Sequence, residues 1–206
     1  MTRTWSRIGA LVAAALVGAV TVFCLTPGPH SVAPPLTATD VGFAQDMSAH
    51  HHQAVIMSDM VAADAAPEVR ALADQIEFSQ LREIGQMTGW LQIADAPVVS
   101  PHPMAWMMTD ADHHMAGGEM AMPGMASPAD LTRLQRATGR ANEILFLQLM
   151  TRHHQGGIDM AAYAVQHTTT NAVHQTAVAM TDEQSQEIIL MAHLLEQRGS
   201  APIAYP

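Results

Sequence analysis

Cysteine is almost absent from this 206-residue chain: the single cysteine is Cys24, and none follows Leu25. The remainder of the chain therefore has neither a disulfide framework nor thiolate ligands for a metal. All nine basic residues are arginines, against 19 acidic residues, so the formal net charge is −10. This balance excludes the basic face that a nucleic-acid partner requires and favours cations as partners.

Signatures of several enzyme classes are also missing. The sequence contains no Glu-x-x-His pair of the di-iron type, no His-Glu-x-x-His zinc helix, no phosphate-binding glycine loop and no nucleophile elbow. These absences make an enzyme the less favoured interpretation without excluding one.

A long apolar run lies at the N-terminus. Arg3 and Arg7 precede an uninterrupted run from Ile8 to Leu25, and about 18 residues in a helix nearly cover the hydrocarbon thickness of a bilayer. We expect residues 1–30 to be an export signal or a membrane anchor, followed by a Pro-rich tether at 31–37. No small-x-small cleavage site follows, which favours an anchor on the outer face of the cytoplasmic membrane; cleavage would give a periplasmic or secreted protein.

One stretch of the sequence occurs twice. Residues 43–57 and 146–160 align without a gap, and a second match, one residue out of step, follows in each half. The matched pairs are Phe43/Phe146, Gln45/Gln148, Met47/Met150, His50/His153, His51/His154, Met57/Met160, then Gln80/Gln184, Glu83/Glu187, Ile84/Ile188 and Met87/Met191. Histidine and methionine are uncommon residues, so chance explains this pattern poorly.

The local patterns predict an all-α protein. Thr37 to Asp40 reads as a helix start, and apolar residues then recur at three- and four-residue steps to Ala63; a second helix is predicted over 68–94. Ser127 to Asp130 resembles a capping box that opens a third helix running to about His167. Asn171 is the expected cap of a fourth helix, which Gly199 would end. Strand signals are weak.

Two helical hairpins follow from the duplication, at 38–96 and 127–199, within one domain of residues 38–199. A loop at 97–126, rich in methionine and histidine, joins them. The simplest packing of two such hairpins is an antiparallel four-helix bundle with approximate twofold symmetry.

Met47, His50, Ala54 and Met57 fall on one helical stripe, and the second copy repeats the stripe. Thioether sulfur is neutral and soft, which favours Cu(I) or Ag(I), and imidazole extends the site to Cu(II). Core packing explains an isolated methionine stripe but gives no reason for His-His twice. The predicted metal ligands are Met47, His50, His51, Met57, Met150, His153, His154 and Met160. Glu83 and Glu187 are expected either to orient an imidazole or to lie on a polar helix surface.

The loop between the hairpins carries a second set of candidate ligands. These are His102, Met104, Met107, Met108, His113, His114, Met115, Met120, Met122 and Met125. Exposed methionine at this density lacks a packing reason, so the segment predicts metal capture, with Trp106 covering an ion; a lid over the helices is the alternative.

The segments Asp40 to His51, Met122 to Pro128 and Phe146 to Gly156 resemble the exported bacterial family catalogued as domain of unknown function 305, over about residues 38–198. The resemblance implies a ferritin-like four-helix bundle, and some members of that family are linked to periplasmic copper binding and copper tolerance. The family pattern falls on the same eight predicted ligands. Glu143 stands where Asp is usual, Asn142 where an aromatic is common and Gly157 where Ala is usual, and His52 adds a third consecutive imidazole.

Taken together, these features predict an exported copper-binding protein that sequesters or relays the ion, Cu(I) before Cu(II), with silver as a surrogate. Its expected partners are metal ions, other copper-handling proteins and, through the N-terminal segment, the membrane. Two alternatives stay open: a redox-active ferritin-like metalloenzyme, and a helical interaction module whose histidines are structural or sense pH.

Overall fold

Four long helices and one short helix make up the part of the chain that the structure describes. This computed structural model describes residues 36–108 and 121–205. The helices are α1 (Ala38–Asp59), α2 (Pro67–Ile93), α3 (Pro128–Arg136), α4 (Gly139–His167) and α5 (Asn171–Gln197), with one 3-10 turn at Ala105–Met107. These residues contain no strand, so the predicted all-α class is confirmed.

The expected N-terminal anchor at 1–30 and most of the Pro-rich tether lie outside the described residues. Among the helices of residues 36–108 and 121–205, none is both long enough and apolar enough to cross a membrane.

Two helix starts follow the local sequence as predicted. The Thr37 hydroxyl accepts a hydrogen bond from the Asp40 amide at 3.2 Å, while the Thr37 amide donates to the Asp40 carboxylate at 2.7 Å. Ser127 and Asp130 form the same reciprocal capping box at the start of α3. Such a box satisfies backbone donors that a helix leaves free at its first turn.

The predictions for the start and the end of α5 differ in outcome. Gly199 has φ +62°, the left-handed conformation in which it ends α5 as expected. The expected cap at Asn171 is wrong, since α5 begins with Asn171 itself and Thr170 occupies the cap position, although its side chain does not cap the backbone of the helix.

The predicted third helix is divided in two. Ala137 and Thr138 are extended between α3 and α4, and Gly139 has φ +52°. The Asn142 amide donates to the carbonyls of Leu134 and Met60 and accepts from the Ala62 amide at 2.8 Å. Asn142 thus links the end of α3 to the turn after α1, which fixes the break.

The long helices pack as two hairpins, α1 with α2 and α4 with α5, and α1 lies against α4. Side chains also join α2 to α5, as between Gln86 and Thr176 at 2.9 Å. Short turns in each hairpin require antiparallel neighbours. Within the bundle the buried apolar residues form two clusters, one containing Phe43 and the other Phe146.

The first helix of each hairpin is bound to the turn of the other hairpin. The buried Asp40 carboxylate of α1 accepts from the Thr168 and Thr170 hydroxyls, which flank the α4–α5 turn. Glu143 of α4, its counterpart in the repeat, accepts from the Ala66 amide before α2 at 2.8 Å and pairs with Arg198. Burial opposes ionisation of Asp40, but its hydrogen bonds outweigh that effect and lower its pKa.

The segment after α2 packs on the bundle instead of projecting from it. The buried Asp46 carboxylate accepts from the Met104 amide at 2.6 Å and from the Trp106 indole N–H at 2.9 Å. Trp106 meets Phe43 edge-on, with ring centroids 5.6 Å apart, and leaves no room for a side chain at Gly42. The segment from 97 to 108 is therefore held against the first turns of α1.

Candidate metal centre

His50 and His153 meet where α1 crosses α4. Their rings stack with centroids 3.8 Å apart and 28° between the ring planes. Both side chains are at most 1% exposed. Each is the first histidine of its repeated motif. The stacking therefore brings two matched positions of the repeat together in the bundle interior.

The hydrogen bonds of these two rings fix their tautomers. Nε2 of His50 lies 3.1 Å from the Pro123 carbonyl oxygen, and Nε2 of His153 lies 3.0 Å from the carbonyl oxygen of His50. A carbonyl oxygen can only accept, so both Nε2 atoms carry hydrogen. In the neutral rings Nδ1 is then a lone-pair donor, and neither Nδ1 atom has a hydrogen-bond partner among the described residues.

The second histidine of each motif is paired with a carboxylate on the neighbouring helix. Nε2 of His51 lies 2.7 Å from Glu83, and Nε2 of His154 lies 2.7 Å from Glu187. Both rings are completely buried, and their Nδ1 atoms also lack a partner within the described part of the chain. All four imidazoles therefore have Nε2 hydrogen-bonded and Nδ1 unused.

Burial controls the protonation of this cluster. It lowers the pKa of His50 to about 3, and repulsion from His51 acts in the same direction. Burial, followed by repulsion from His50, lowers the pKa of His153 well below its usual value. Burial also raises the pKa of Glu83 to about 7, although Arg82 opposes the rise. The stacked imidazoles are thus neutral at physiological pH, the form in which imidazole binds metals.

Four methionines flank the histidines in two pairs, all completely buried. Met47 and Met160 belong to one apolar cluster, and Met57 and Met150 belong to the other. On α1 the order is Met47, His50, Met57, and on α4 the matched order runs the opposite way through the bundle. One thioether from α1 and one from α4 therefore lie on each side of the histidines.

The predicted loop ligands do not form one exposed cluster. Met104 is completely buried in the cluster that contains Met47, and Met107 and Met122 pack against it. The expected absence of a packing reason is wrong for these three residues. His102 is exposed, Met108 and Met125 are half-buried, and His113, His114, Met115 and Met120 lie outside the described residues.

Other features of the candidate site differ from the simplest expectation. His52 is exposed and takes no part in the stacked pair. Trp106 packs on Gly42 and Phe43, about two turns before His50 on α1. Over the residues that the structure describes, no group of three or more His, Cys, Asp or Glu side chains is arranged to hold a metal.

Sequence reasoning missed two kinds of partner. The Pro123 carbonyl that bonds His50 is a backbone group, and no sequence signal marks it. Gln80 and Gln184 are each only 2% exposed, and their amides have unpartnered atoms among the described residues. Their repetition three residues before Glu83 and Glu187 was the signal that could have identified them.

This geometry defines a class of protein: a helical bundle of two matched hairpins with a buried methionine–histidine interior. Residues 40–195 match the family described as domain of unknown function (DUF305). The chain belongs to that family. No curated protein matches the chain.

Three solved structures are similar over most of the chain. A candidate secreted DUF305 protein from Streptomyces coelicolor is 40% identical, covers 81% of this chain and 98% of its own, and has a TM-score of 0.72. A DUF305 fragment from Deinococcus radiodurans is 30% identical, with coverages of 80% and 99% and a TM-score of 0.65. CopM in a Cu(I)-bound form is 26% identical, with coverages of 78% and 98% and a TM-score of 0.58.

Proposed function

We propose that this protein binds copper in the interior of its bundle, through the imidazoles of the two His-His pairs and the thioethers of the four flanking methionines. The observation that carries this proposal is the set of four buried Nδ1 atoms without a partner among the described residues. A buried polar atom without a partner costs free energy, and a metal ion would satisfy such lone pairs.

The hydrogen bonds on Nε2 support the same assignment. Metal-binding histidines commonly donate their other ring N–H to a carboxylate or a backbone carbonyl, which fixes the tautomer and makes the free nitrogen a better ligand. His50 and His153 use carbonyls, whereas His51 and His154 use Glu83 and Glu187. In this proposal the two glutamates orient ligands and do not bind the ion.

The donor set favours copper over harder metals. Thioether sulfur suits Cu(I), while imidazole suits both oxidation states. CopM has been crystallised in Cu(I)-bound, Cu(II)-bound and Ag-bound forms, and its similarity supports transferring copper, with silver as a surrogate, to this chain as a hypothesis. Sequestration or relay outside the cytoplasm fits the apolar N-terminal run and the similarity to a candidate secreted protein. We likewise propose that the four long helices form a ferritin-like bundle.

A competition titration tests the proposal. The full-length protein would be titrated with Cu(I) against a chromophoric chelator, beside a His50→Ala/His153→Ala variant and a Met47→Leu/Met160→Leu variant. We expect stoichiometric binding by the wild type and a loss of affinity of at least about tenfold in each variant. Leucine replaces methionine at similar volume, so the second variant removes sulfur and keeps the core packed.

His102→Ala is the matched control, because His102 is exposed and lies outside the bundle interior. Its affinity should equal that of the wild type. Absence of Cu(I) binding by the wild type, or equal binding by all variants with unchanged helicity, would contradict the proposal and return the histidines to a structural role.

A further inference from the structure

Gln184 is a buried amide without hydrogen-bond partners in the bundle interior. Its side chain is 2% exposed, and neither Nε2 nor Oε1 has a partner among the described residues. Both ends of the amide are free, so the observation does not depend on which end is the oxygen. Buried amides are normally hydrogen-bonded because an unpartnered one loses its solvation without compensation.

The backbone of α4 is shaped to admit this side chain. A Cβ atom at Gly157 would lie 3.2 Å from both Cδ and Nε2 of Gln184, and still closer to Oε1. Alanine at position 157 would therefore displace the amide. The matched position in the first half is Ala54, which carries the Cβ that Gly157 lacks.

The placement of the amide relates it to the candidate metal centre. Gly157 follows His153 by four residues and His154 by three, so it lies on the same side of α4 as both rings. On α5, Gln184 precedes Glu187 by three residues, and Glu187 bonds His154. The carboxamide thus enters the interior on the second half of the site, one helical turn beyond the carboxylate that orients His154.

We propose that the Gln184 carboxamide is a ligand of the copper site, and that it supplies an oxygen donor which allows the site to hold Cu(II) as well as Cu(I). This inference rests on the proposed function. Amide oxygen is a harder donor than thioether sulfur, and it joins imidazole nitrogen around Cu(II) more readily than around Cu(I). Gly157 makes the two halves unequal, since the first half has Ala54 at the matched position and Gly157 is the residue that the Gln184 amide approaches.

Parallel Cu(II) and Cu(I) competition titrations of the full-length protein test the assignment, on the wild type, Gln184→Leu and Gly157→Ala. In Gln184→Leu we expect the Kd for Cu(II) to rise by about tenfold or more, while the Kd for Cu(I) stays within about twofold. Gly157→Ala should act in the same direction, because its methyl group displaces the amide. Electron paramagnetic resonance of the Cu(II) form should change in both variants.

Gln80→Leu is the matched control, since Gln80 is equally buried at the corresponding position of the first half. Its Kd for Cu(II) should stay within about twofold of the wild type. Urea unfolding should show Gln184→Leu to be at least as stable as the wild type, because leucine removes an unpartnered buried amide. A loss of Cu(II) binding in this variant could then not be attributed to unfolding.

The outcomes separate this inference from the proposed function. Wild-type protein that binds both ions, with Gln184→Leu unchanged, overturns the role of Gln184 and leaves the copper site standing. An equal loss of Cu(II) binding in Gln80→Leu overturns the special role of Gly157. Wild-type protein that binds neither ion overturns both proposals.

Discussion

The stacked rings of His50 and His153, 3.8 Å apart at their centroids, constrain each other's charge. Two imidazolium ions at this separation, shielded from water, would repel strongly. Their pKa values are lowered by burial and by repulsion from neighbouring histidines. The bundle interior is therefore a site that acid destabilises.

The free energy of unfolding of the metal-free protein should fall as the pH decreases from 6.5 to 5. The unfolded chain takes up protons on His50 and His153 near the normal pKa of 6.5, whereas the folded chain does not, so acid favours unfolding. Each histidine should cost about 1.7 kcal/mol over this range, or about 3 kcal/mol together. The pKa of His51 is lowered and that of Glu83 is raised, so the effects of these two groups on the pH dependence of stability have opposite signs and largely cancel.

Urea unfolding at pH 6.5 and pH 5 measures this loss, with the His50→Leu/His153→Leu variant as the reference. The wild type should lose about 3 kcal/mol more than the variant, and a His102→Leu control should behave as the wild type. Equal losses in the wild type and the double variant would show that these rings are not the groups that titrate.

Glu187→Ala should destabilise the protein by about 1–3 kcal/mol, because it leaves the buried Nε2–H of His154 without an acceptor. Glu187→Gln keeps a side-chain oxygen at this position, so its cost should be below about 1 kcal/mol. Urea unfolding of metal-free protein would measure both. Glu196→Ala, on the exposed side of α5, is the control and should fall within about 0.5 kcal/mol of the wild type. An alanine variant as stable as its glutamine counterpart would contradict the role of this hydrogen bond.

Asp46→Asn should loosen the segment from 97 to 108. The carboxylate accepts from both the Met104 amide and the Trp106 indole, and charge-assisted hydrogen bonds of this kind are stronger than neutral ones. Hydrogen exchange followed by mass spectrometry should show faster exchange at the Met104 amide. Asp59→Asn, exposed at the end of the same helix, should leave the exchange rate unchanged. Equal protection in both variants would mean that apolar packing alone holds the segment.

Two glycine substitutions should have opposite effects. A Cβ at Gly156 would overlap the Pro123 carbonyl and lie 2.8 Å from the Gly124 nitrogen, so Gly156→Ala should push this loop from α4 and weaken its hydrogen bond to His50. Gly85→Ala meets nothing within 4 Å and should stabilise α2 by about 0.5–1 kcal/mol. Thermal unfolding would measure both; a Gly156→Ala variant as stable as Gly85→Ala would contradict the close approach.

Local sequence predicted those parts of the fold whose contacts lie within one helical turn. The capping boxes of Thr37 with Asp40 and of Ser127 with Asp130 join residues three apart, so the pattern alone identifies them. The break before α4 depends on Asn142 meeting Met60, 82 positions away. No local pattern carries that information.

In the candidate site, too, local sequence could not predict contacts between residues that are distant in the chain. The duplication directed attention to the histidines and methionines, but it did not indicate which ring nitrogen is free. That depends on the Pro123 carbonyl and on the backbone of His50, which any residue type provides. The burial of Met104 likewise depends on a hydrogen bond from its backbone amide to the Asp46 carboxylate, 58 positions earlier.

The hydrogen bonds that join Asp40 and Glu143 to the turn of the opposite hairpin bear on how such a chain could have originated. Each hairpin places its buried carboxylate on hydroxyl or amide groups supplied by the other hairpin's turn. A single hairpin would keep the bond of Thr37 to Asp40, or of Arg198 to Glu143, but would lose these partners from the opposite turn unless a second copy supplied them. Two copies of one hairpin, related by the approximate twofold axis, would exchange these bonds in both directions, so this arrangement is compatible with an origin by fusion of two paired hairpins.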